Sequence, residues 1–454
     1  MGTYIVRGGR RIEGEFAVRG SKNGTLPILA ACILAEDEVV LENIPLIQDV
    51  KQTLEILQEL GCRVERTGRT VVIDSRHLSS GEIGSETVGK MRSSILFLGA
   101  LLGREKRAKL AYPGGCAIGR RPIDLHLAAF RKMGVTIGGE GCTLDCRADR
   151  IRGTEISLPI PSVGATENIL LLAAKAEGVT LIRNAAREPE IVSLARFLRA
   201  MGAEIYGEGT SSILVEGVSR LHGAVFSLPA DRIEGGTFLC AAAMTGGELR
   251  LRGLEREQMG AVLEVLRTTG CRFLWEDSDL LWMRPPKKLR SDFTIVTGPF
   301  PAFPTDMQPL AMSLLTLAGG SCMISETVFE ARFSQAAELC RMGADIVVSG
   351  GNACIRGVEK LHGAEVFAHD LRCGAALLAA ATAIVKVIGA FYKIPLNAII
   401  GTKGFAYFNT AYNIYTVLLL ISTAGLPVAM SRMISAANSL GNTKQVKRIY
   451  KTAQ

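Results

Sequence analysis

Three kinds of residue in this sequence stand where they could bind an anion and move a proton. Cys116 lies in Pro113-Gly114-Gly115-Cys116-Ala117-Ile118-Gly119-Arg120-Arg121. Two glycines let such a loop move, and two nearby guanidiniums can stabilise the thiolate, so this thiol is set up for acid or nucleophile chemistry. Lys22 and Asn23 follow a strand-like run and precede the apolar stretch 26–34. An ammonium beside the free N–H groups of a helix start makes a seat for phosphate or carboxylate. Arginines supply the third kind: Arg92 in Lys90-Met91-Arg92-Ser93-Ser94, Arg232 in Asp231-Arg232-Ile233-Glu234 and Arg372 in Asp370-Leu371-Arg372. Their planar forks pair bidentately with phosphate or carboxylate. Arg232 and Arg372 each have a neighbouring Asp, so a structural ion pair competes with anion binding at both. Asp306, in Pro304-Thr305-Asp306, stands just before a predicted helix, where capping is the ordinary role of an Asp.

These residues recur within a repeating frame. Five segments read as a helix end, a small-residue turn and an alternating strand pair: LGCRVERTGRTVVID, MGVTIGGEGCTLDCRAD, MGAEIYGEGTSSILVEGV, TGCRFLWEDSDLLWMRP and MGADIVVSGGNACIRGV. Their glycines, Gly61, Gly134, Gly202, Gly270 and Gly343, are 73, 68, 68 and 73 residues apart. Each stands where a helix end requires a left-handed residue ahead of a hairpin. Six unit starts, from Gly14, Gly81, Gly153, Gly223, Ser291 and Gly363, each read as a strand, a polar loop and the beginning of an apolar helix. Six starts and five ends imply an α/β architecture of repeated units whose sixth copy is truncated. Helices without a polar face then belong inside the sheets.

The bulk numbers exclude some functions. The 454 residues are 48% hydrophobic and 21% charged, a globular composition too long for one core. The net charge of +8 lies entirely in residues 385–454, which carry eight Lys or Arg and no Asp or Glu. The body is therefore neutral, and no nucleic-acid partner is expected. Eleven cysteines are scattered singly; Cys142 and Cys146 are close, but no second Cys or His pair completes a zinc set. The first twenty residues are charged and lack an apolar run, so the expected compartment is the cytoplasm.

Longer motifs carry a resemblance. Ser21-Lys22-Asn23-Gly24, the Cys116 loop continuing through Pro122-Ile123-Asp124-Leu125-His126, and Pro161-Ser162-Val163-Gly164-Ala165-Thr166-Glu167-Asn168 are three of them. Asn184-Ala185-Ala186-Arg187-Glu188-Pro189-Glu190 and Pro301-Ala302-Phe303-Pro304-Thr305-Asp306-Met307-Gln308 are two more. From about Tyr4 to about Thr382 the chain resembles the UDP-N-acetylglucosamine enolpyruvyl transferases. The resemblance implies an inside-out α/β barrel in two domains. One is residues 22–229, carrying the Cys loop; the other is residues 1–21 with 230–382, left incomplete.

It also implies a reaction: the enolpyruvyl group of phosphoenolpyruvate moves to the 3′-hydroxyl of UDP-N-acetylglucosamine and phosphate leaves, the first committed step of peptidoglycan synthesis. An acid must protonate the methylene carbon, a base must face the hydroxyl, and cations must hold the anions; no metal or other cofactor is required. By resemblance Cys116 is the acid, Asp306 the base near the hydroxyl, and Lys22 a catalytic cation. Lys22, Asn23, Arg121 and Arg372 hold phosphoenolpyruvate. Arg92, Arg121, Pro122, Ile123, Asp124, Leu125, Ser162, Val163, Gly164, Asp306 and Val328 hold the sugar nucleotide. The Val328 stretch departs from the family at Ala331, where Asn is usual.

The chain leaves the family near Ala383. A helix leading to His-Ile-Asp-Arg-Gly-Tyr-Glu and a last strand pair would follow, and that Arg is one of the phosphoenolpyruvate groups. Instead, residues 404–431 carry no charge over a length that spans a bilayer, with basic residues beyond. Residues 383–454 thus read as a hydrophobic, basic, helical, membrane-like tail, with a membrane contact through 404–431. The tail resembles the N-terminal end of polysaccharide flippases of the stage V sporulation protein B type. A natural fusion and a joined reading frame both fit such a sequence. Two functions stay open: the transferase, and a catalytically impaired, membrane-attached fusion that still binds the sugar nucleotide. A shikimate-pathway enolpyruvyl transferase would need neither the Cys116 loop nor the 121–125 stretch.

Overall fold

The computed structural model describes residues 4–84, 91–112, 122–139 and 143–383. Cys116, Arg121 and the tail from residue 384 lie outside them.

Apolar helices set the architecture. Helix α1 (Lys22–Ala31) is buried from Gly24 to Ala31, and a short 3-10 turn (Cys32–Leu34) continues it inside the protein. The first eight residues of a second such helix, α3 (Leu96–Glu105), and all of Ala165–Ala173 in α5 (Val163–Ala173) are buried as well. A helix apolar on every side has to be covered on every side. Between them come α2 (Gln48–Glu59), α4 (Asp124–Lys132) and α6 (Pro189–Ala200), which bury one face. The second half repeats the scheme with α7 (Arg232–Thr245), α8 (Arg256–Thr268), α9 (Gln308–Leu315) and α10 (Ser334–Arg341).

Sheets form the outer layer. The strands, in chain order, are β1 (Gly14–Ala17), β2 (Glu38–Glu42), β3 (Arg63–Thr67), β4 (Thr70–Asp74), β5 (Glu82–Ile83), β6 (Arg107–Ala111), β7 (Thr136–Gly138), β8 (Thr143–Arg147), β9 (Glu155–Ser157) and β10 (Val179–Arg183). They continue with β11 (Glu204–Tyr206), β12 (Ser212–Glu216), β13 (Val225–Ser227), β14 (Leu249–Arg252), β15 (Arg272–Trp275), β16 (Leu280–Arg284), β17 (Arg290–Val296), β18 (Gly319–Ser325), β19 (Asp345–Ser349) and β20 (Asn352–Arg356). Among the described residues they make five sheets of four strands. In each sheet a parallel pair joins an antiparallel hairpin, as in β17-β18-β20-β19. Strands such as β12 alternate exposed and buried residues, so only the inner face meets the helices. The five repeat glycines that precede the hairpins have φ between +92° and +100°, as a helix end in the left-handed region demands.

Two unit-starting strands trade places. β5, β9 and β17 pair with the next strand of their own unit, but β1 pairs with β14 and β13 with β2. The chain therefore crosses twice between two hydrophobic cores, one built from residues 26–228 and the other from Val18 and residues 233–380. The crossings run side by side: Gly20 bridges Ala230, Ser21 N–H donates to Pro229 O (2.9 Å) and Asp231 N–H donates to Arg19 O (2.7 Å). A Cβ on Gly20 would stand 1.9 Å from Asn43 O, which is why a glycine is needed there.

The sixth unit departs from expectation at its first element. Residues 361–368 form no strand, although the sequence from Gly363 has strand character. A strand needs a neighbour to satisfy its N–H and C=O groups, and among the described residues no strand pairs with 361–368. The helical residues 371–383 do form, burying Cys373, Ala376, Leu377, Ala379 and Ala380 in the second core. No helix among the described residues is long and apolar enough to cross a membrane; the 404–431 reading falls outside them.

Candidate active site

The polar residues gather at the starts of the buried helices, where unpaired N–H groups and the positive end of the helix dipole favour anions. Ser21 caps α1, accepting from Gly24 N–H at 3.1 Å. Lys22 and Asn23 therefore sit inside the first turn, not ahead of the helix as the sequence suggests. The Lys22 ammonium is 2.9 Å from Asp49 Oδ2 and both side chains are partly exposed, so this pair is weak and a bound anion can displace it.

Asp231 ties two helices together. Its Oδ1 accepts from Ile233 N–H (2.8 Å) and Glu234 N–H (3.2 Å) to cap α7, while Oδ2 accepts Lys22 N–H at 3.0 Å. The neighbouring Arg232 does not pair with it. It reaches Glu190 at 3.5 Å, lies over the Phe300 ring at 5.7 Å, and is 11% exposed. Glu188 accepts Phe300 N–H at 3.1 Å, and burial raises its carboxyl above the usual range.

Asp306 is the centre of the arrangement and does not act as a helix cap. Arg332 donates to Oδ1 at 2.6 Å; Arg372 and Asn23 donate to Oδ2 at 3.0 and 3.3 Å. Burial pushes its carboxyl up, but the two guanidiniums and the Asn23 amide outweigh that and hold it well below the usual carboxylate range. Arg372 thus finds Asp306, while its neighbour Asp370 caps the following helix through Arg372 N–H (2.7 Å) and Cys373 N–H (3.0 Å). Arg332, 3% exposed, was missed as a site residue from sequence. Its only sequence signal was its place beside Phe333 in the Val328 stretch.

Val328 is 40% exposed, and its N–H donates to Glu326 Oε1 at 2.9 Å. Glu326 Oε2 accepts from Thr305 Oγ1 at 2.9 Å, so one carboxylate spaces Val328 from the Asp306 turn.

The nucleotide residues expected from sequence occupy three other helix starts. Arg92 opens the 3-10 turn Arg92–Ile95 before α3. Exposed Pro122, buried Ile123, exposed Asp124 and half-buried Leu125 lead into and begin α4. Ser162 caps α5, accepting from Ala165 N–H at 3.4 Å, with Val163 and Gly164 as its first residues. Buried His126 packs against Gly164 and is held neutral, its pKa lowered to about 4 by burial and by Arg92 against the opposing pull of Asp124.

A family model described as EPSP synthase (3-phosphoshikimate 1-carboxyvinyltransferase) matches residues 6–391, and one described as Polysaccharide biosynthesis protein matches residues 371–453. The UDP-N-acetylglucosamine 1-carboxyvinyltransferase 2 of Caldanaerobacter subterraneus subsp. tengcongensis is 48% identical over 380 residues, 84% of this chain and 91% of that relative. A UDP-N-acetylglucosamine 1-carboxyvinyltransferase of Nitratidesulfovibrio vulgaris is 47% identical over 383 residues, with the same coverage. Among solved structures, the enolpyruvyl transferase NikO from Streptomyces tendae superposes with a TM-score of 0.74 at 25% identity, over 83% of this chain and 90% of that one. EPSP synthase from Acinetobacter baumannii shares the fold, with a TM-score of 0.65 at 21% identity over 84% and 91%.

Proposed function

The chain belongs to the EPSP synthase family, and from that premise we propose that it transfers the enolpyruvyl group of phosphoenolpyruvate to the 3′-hydroxyl of UDP-N-acetylglucosamine. The observation that carries this reading is Asp306, an ionised carboxylate at a helix start fixed by Arg332, Arg372 and Asn23. The names of the relatives select the acceptor.

Each step needs a group the chain can supply. Lys22, Asn23 and Arg372, with Arg121, hold the phosphate and carboxylate of phosphoenolpyruvate. Cys116 delivers a proton to the methylene carbon, and the sugar hydroxyl attacks the adjacent carbon as Asp306 takes its proton. Loss of phosphate and of a methyl proton restores the double bond. Asp306 is a poor base while two guanidiniums hold it, since a strongly depressed pKa means weak proton affinity. An anion that draws Arg372 away raises that affinity, so substrate binding itself readies the base. Arg92, Pro122, Ile123, Asp124, Leu125, Ser162, Val163, Gly164 and Val328 hold the nucleotide in this reading. The body works as two domains, 22–229 and 1–21 with 230–382, whose seam is the double crossing at Gly20 and Ala230.

Incubating the full chain with both substrates and weighing the sugar nucleotide by mass spectrometry tests the reading. A species heavier by one enolpyruvyl group supports it; unchanged sugar nucleotide after long incubation contradicts it.

A second reading is favoured by the second family match over residues 371–453: a membrane-attached protein that binds the sugar nucleotide without turnover. We place its membrane contact at residues 404–431. Co-sedimentation of the full chain with anionic lipid vesicles supports that contact, and retention in the supernatant opposes it.

A further inference from the structure

We propose that Asn168 is a positioning residue for the sugar nucleotide: one buried amide fixes the three helix starts that hold it. This rests on the functional reading above.

Asn168 is fully buried in α5. Its Oδ1 accepts Gly99 N–H at 2.8 Å, and its Nδ2 donates to Ile95 O at 2.8 Å and contacts His126 Nδ1 at 3.0 Å. The first two contacts leave no choice of amide orientation, because a backbone N–H demands an acceptor and a carbonyl demands a donor. Nδ2 therefore donates to His126 Nδ1, and the imidazole proton resides on Nε2.

The partners belong to different helices, in the unit that precedes the one holding Asn168. Ile95 closes the turn that Arg92 opens, and Gly99 lies in the helix that follows. His126 belongs to the first turn of α4, directly after Asp124 and Leu125. Its ring lies over the start of α5: a Cβ on Gly164 would stand 3.3 Å from His126 Cε1 and 3.6 Å from Nε2. The chain Asn168–His126–Gly164 thus sets the relative placement of Arg92, of Asp124 with Leu125, and of Ser162 with Gly164. Such buried networks hold geometry because each lost partner leaves an unsatisfied group behind.

Calorimetric titration of the full chain with UDP-N-acetylglucosamine separates positioning from folding. Asn168→Asp keeps the acceptor for Gly99 N–H and loses both donations. The expected result is a dissociation constant raised roughly tenfold at unchanged stoichiometry. An unchanged constant, whether stoichiometry is full or reduced, overturns the inference, since reduced stoichiometry alone reports misfolded chains. Should Asn168→Asp not fold, His126→Phe retains the Asn168 bonds to Gly99 and Ile95 and is read by the same criteria. Absence of binding by the unaltered chain overturns the functional reading and this inference together; failure confined to the variants overturns the inference alone.

Discussion

The side-chain amide of Asn23 donates to the carboxylate of Asp306 at 3.3 Å across 283 residues of sequence. Asn23 lies in the first turn of the first buried helix of one core, and Asp306 precedes a buried helix of the other. With Lys22 N–H on Asp231, this bond joins the two cores at the point where the cationic and acidic groups meet. Catalysis by positioned groups depends on such fixed distances, because an error of about 1 Å can cost on the order of a hundredfold in rate.

Replacing Asp306 by Asn should abolish turnover and lower the unfolding free energy by about 3 kcal/mol, since Arg332 and Arg372 are left buried without their countercharge. Denaturant titration checks the second part. A variant as stable as the unaltered chain would show that the ion cluster is not strained by the loss.

Asp49→Asn frees the Lys22 ammonium from its partner. The Michaelis constant for phosphoenolpyruvate should fall by about two- to threefold, the scale of a partly exposed ion pair. A rise would mean that Asp49 orients Lys22 instead of competing with the substrate.

Cys116→Ala should remove turnover and leave nucleotide binding intact. Steady-state kinetics beside calorimetry decides this, and undiminished turnover would remove the thiol from the acid role.

His126 gives stability a pH dependence of defined sign. Its pKa is about 4 in the folded chain, set by burial and Arg92 against Asp124, and near 6.5 when unfolded. Between those values the unfolded state binds the extra proton, so stability is complete above about pH 6.5 and declines as pH falls toward 4. His126→Phe should flatten the decline in unfolding midpoint between pH 6.5 and 5, where most carboxylates stay ionised. An unaltered slope would place the pH dependence elsewhere.

Much of this was legible in the sequence because it rests on local rules. The five glycines at near-equal intervals announced left-handed helix ends, and all five have that conformation. Apolar stretches such as 26–34 announced helices without a polar face. Partners remote in sequence were not legible. Local rules offer Asp306 only a capping role, and the resemblance makes it the base, but neither reveals its three donors, which come from Asn23, Arg332 and Arg372. Arg232 and Arg372 each stand beside an Asp, but those carboxylates are taken by helix N–H groups and the guanidiniums reach elsewhere. The strand expected after Gly363 failed for a similar reason: strand character is local, whereas a ladder requires a neighbour.

The most direct test is phosphate release from phosphoenolpyruvate by the purified full-length chain, with and without UDP-N-acetylglucosamine. Transfer to the sugar nucleotide requires release that appears only when that nucleotide is present. No release from a demonstrably folded chain given both substrates would contradict the transferase reading and leave a protein that binds the nucleotide without turning it over.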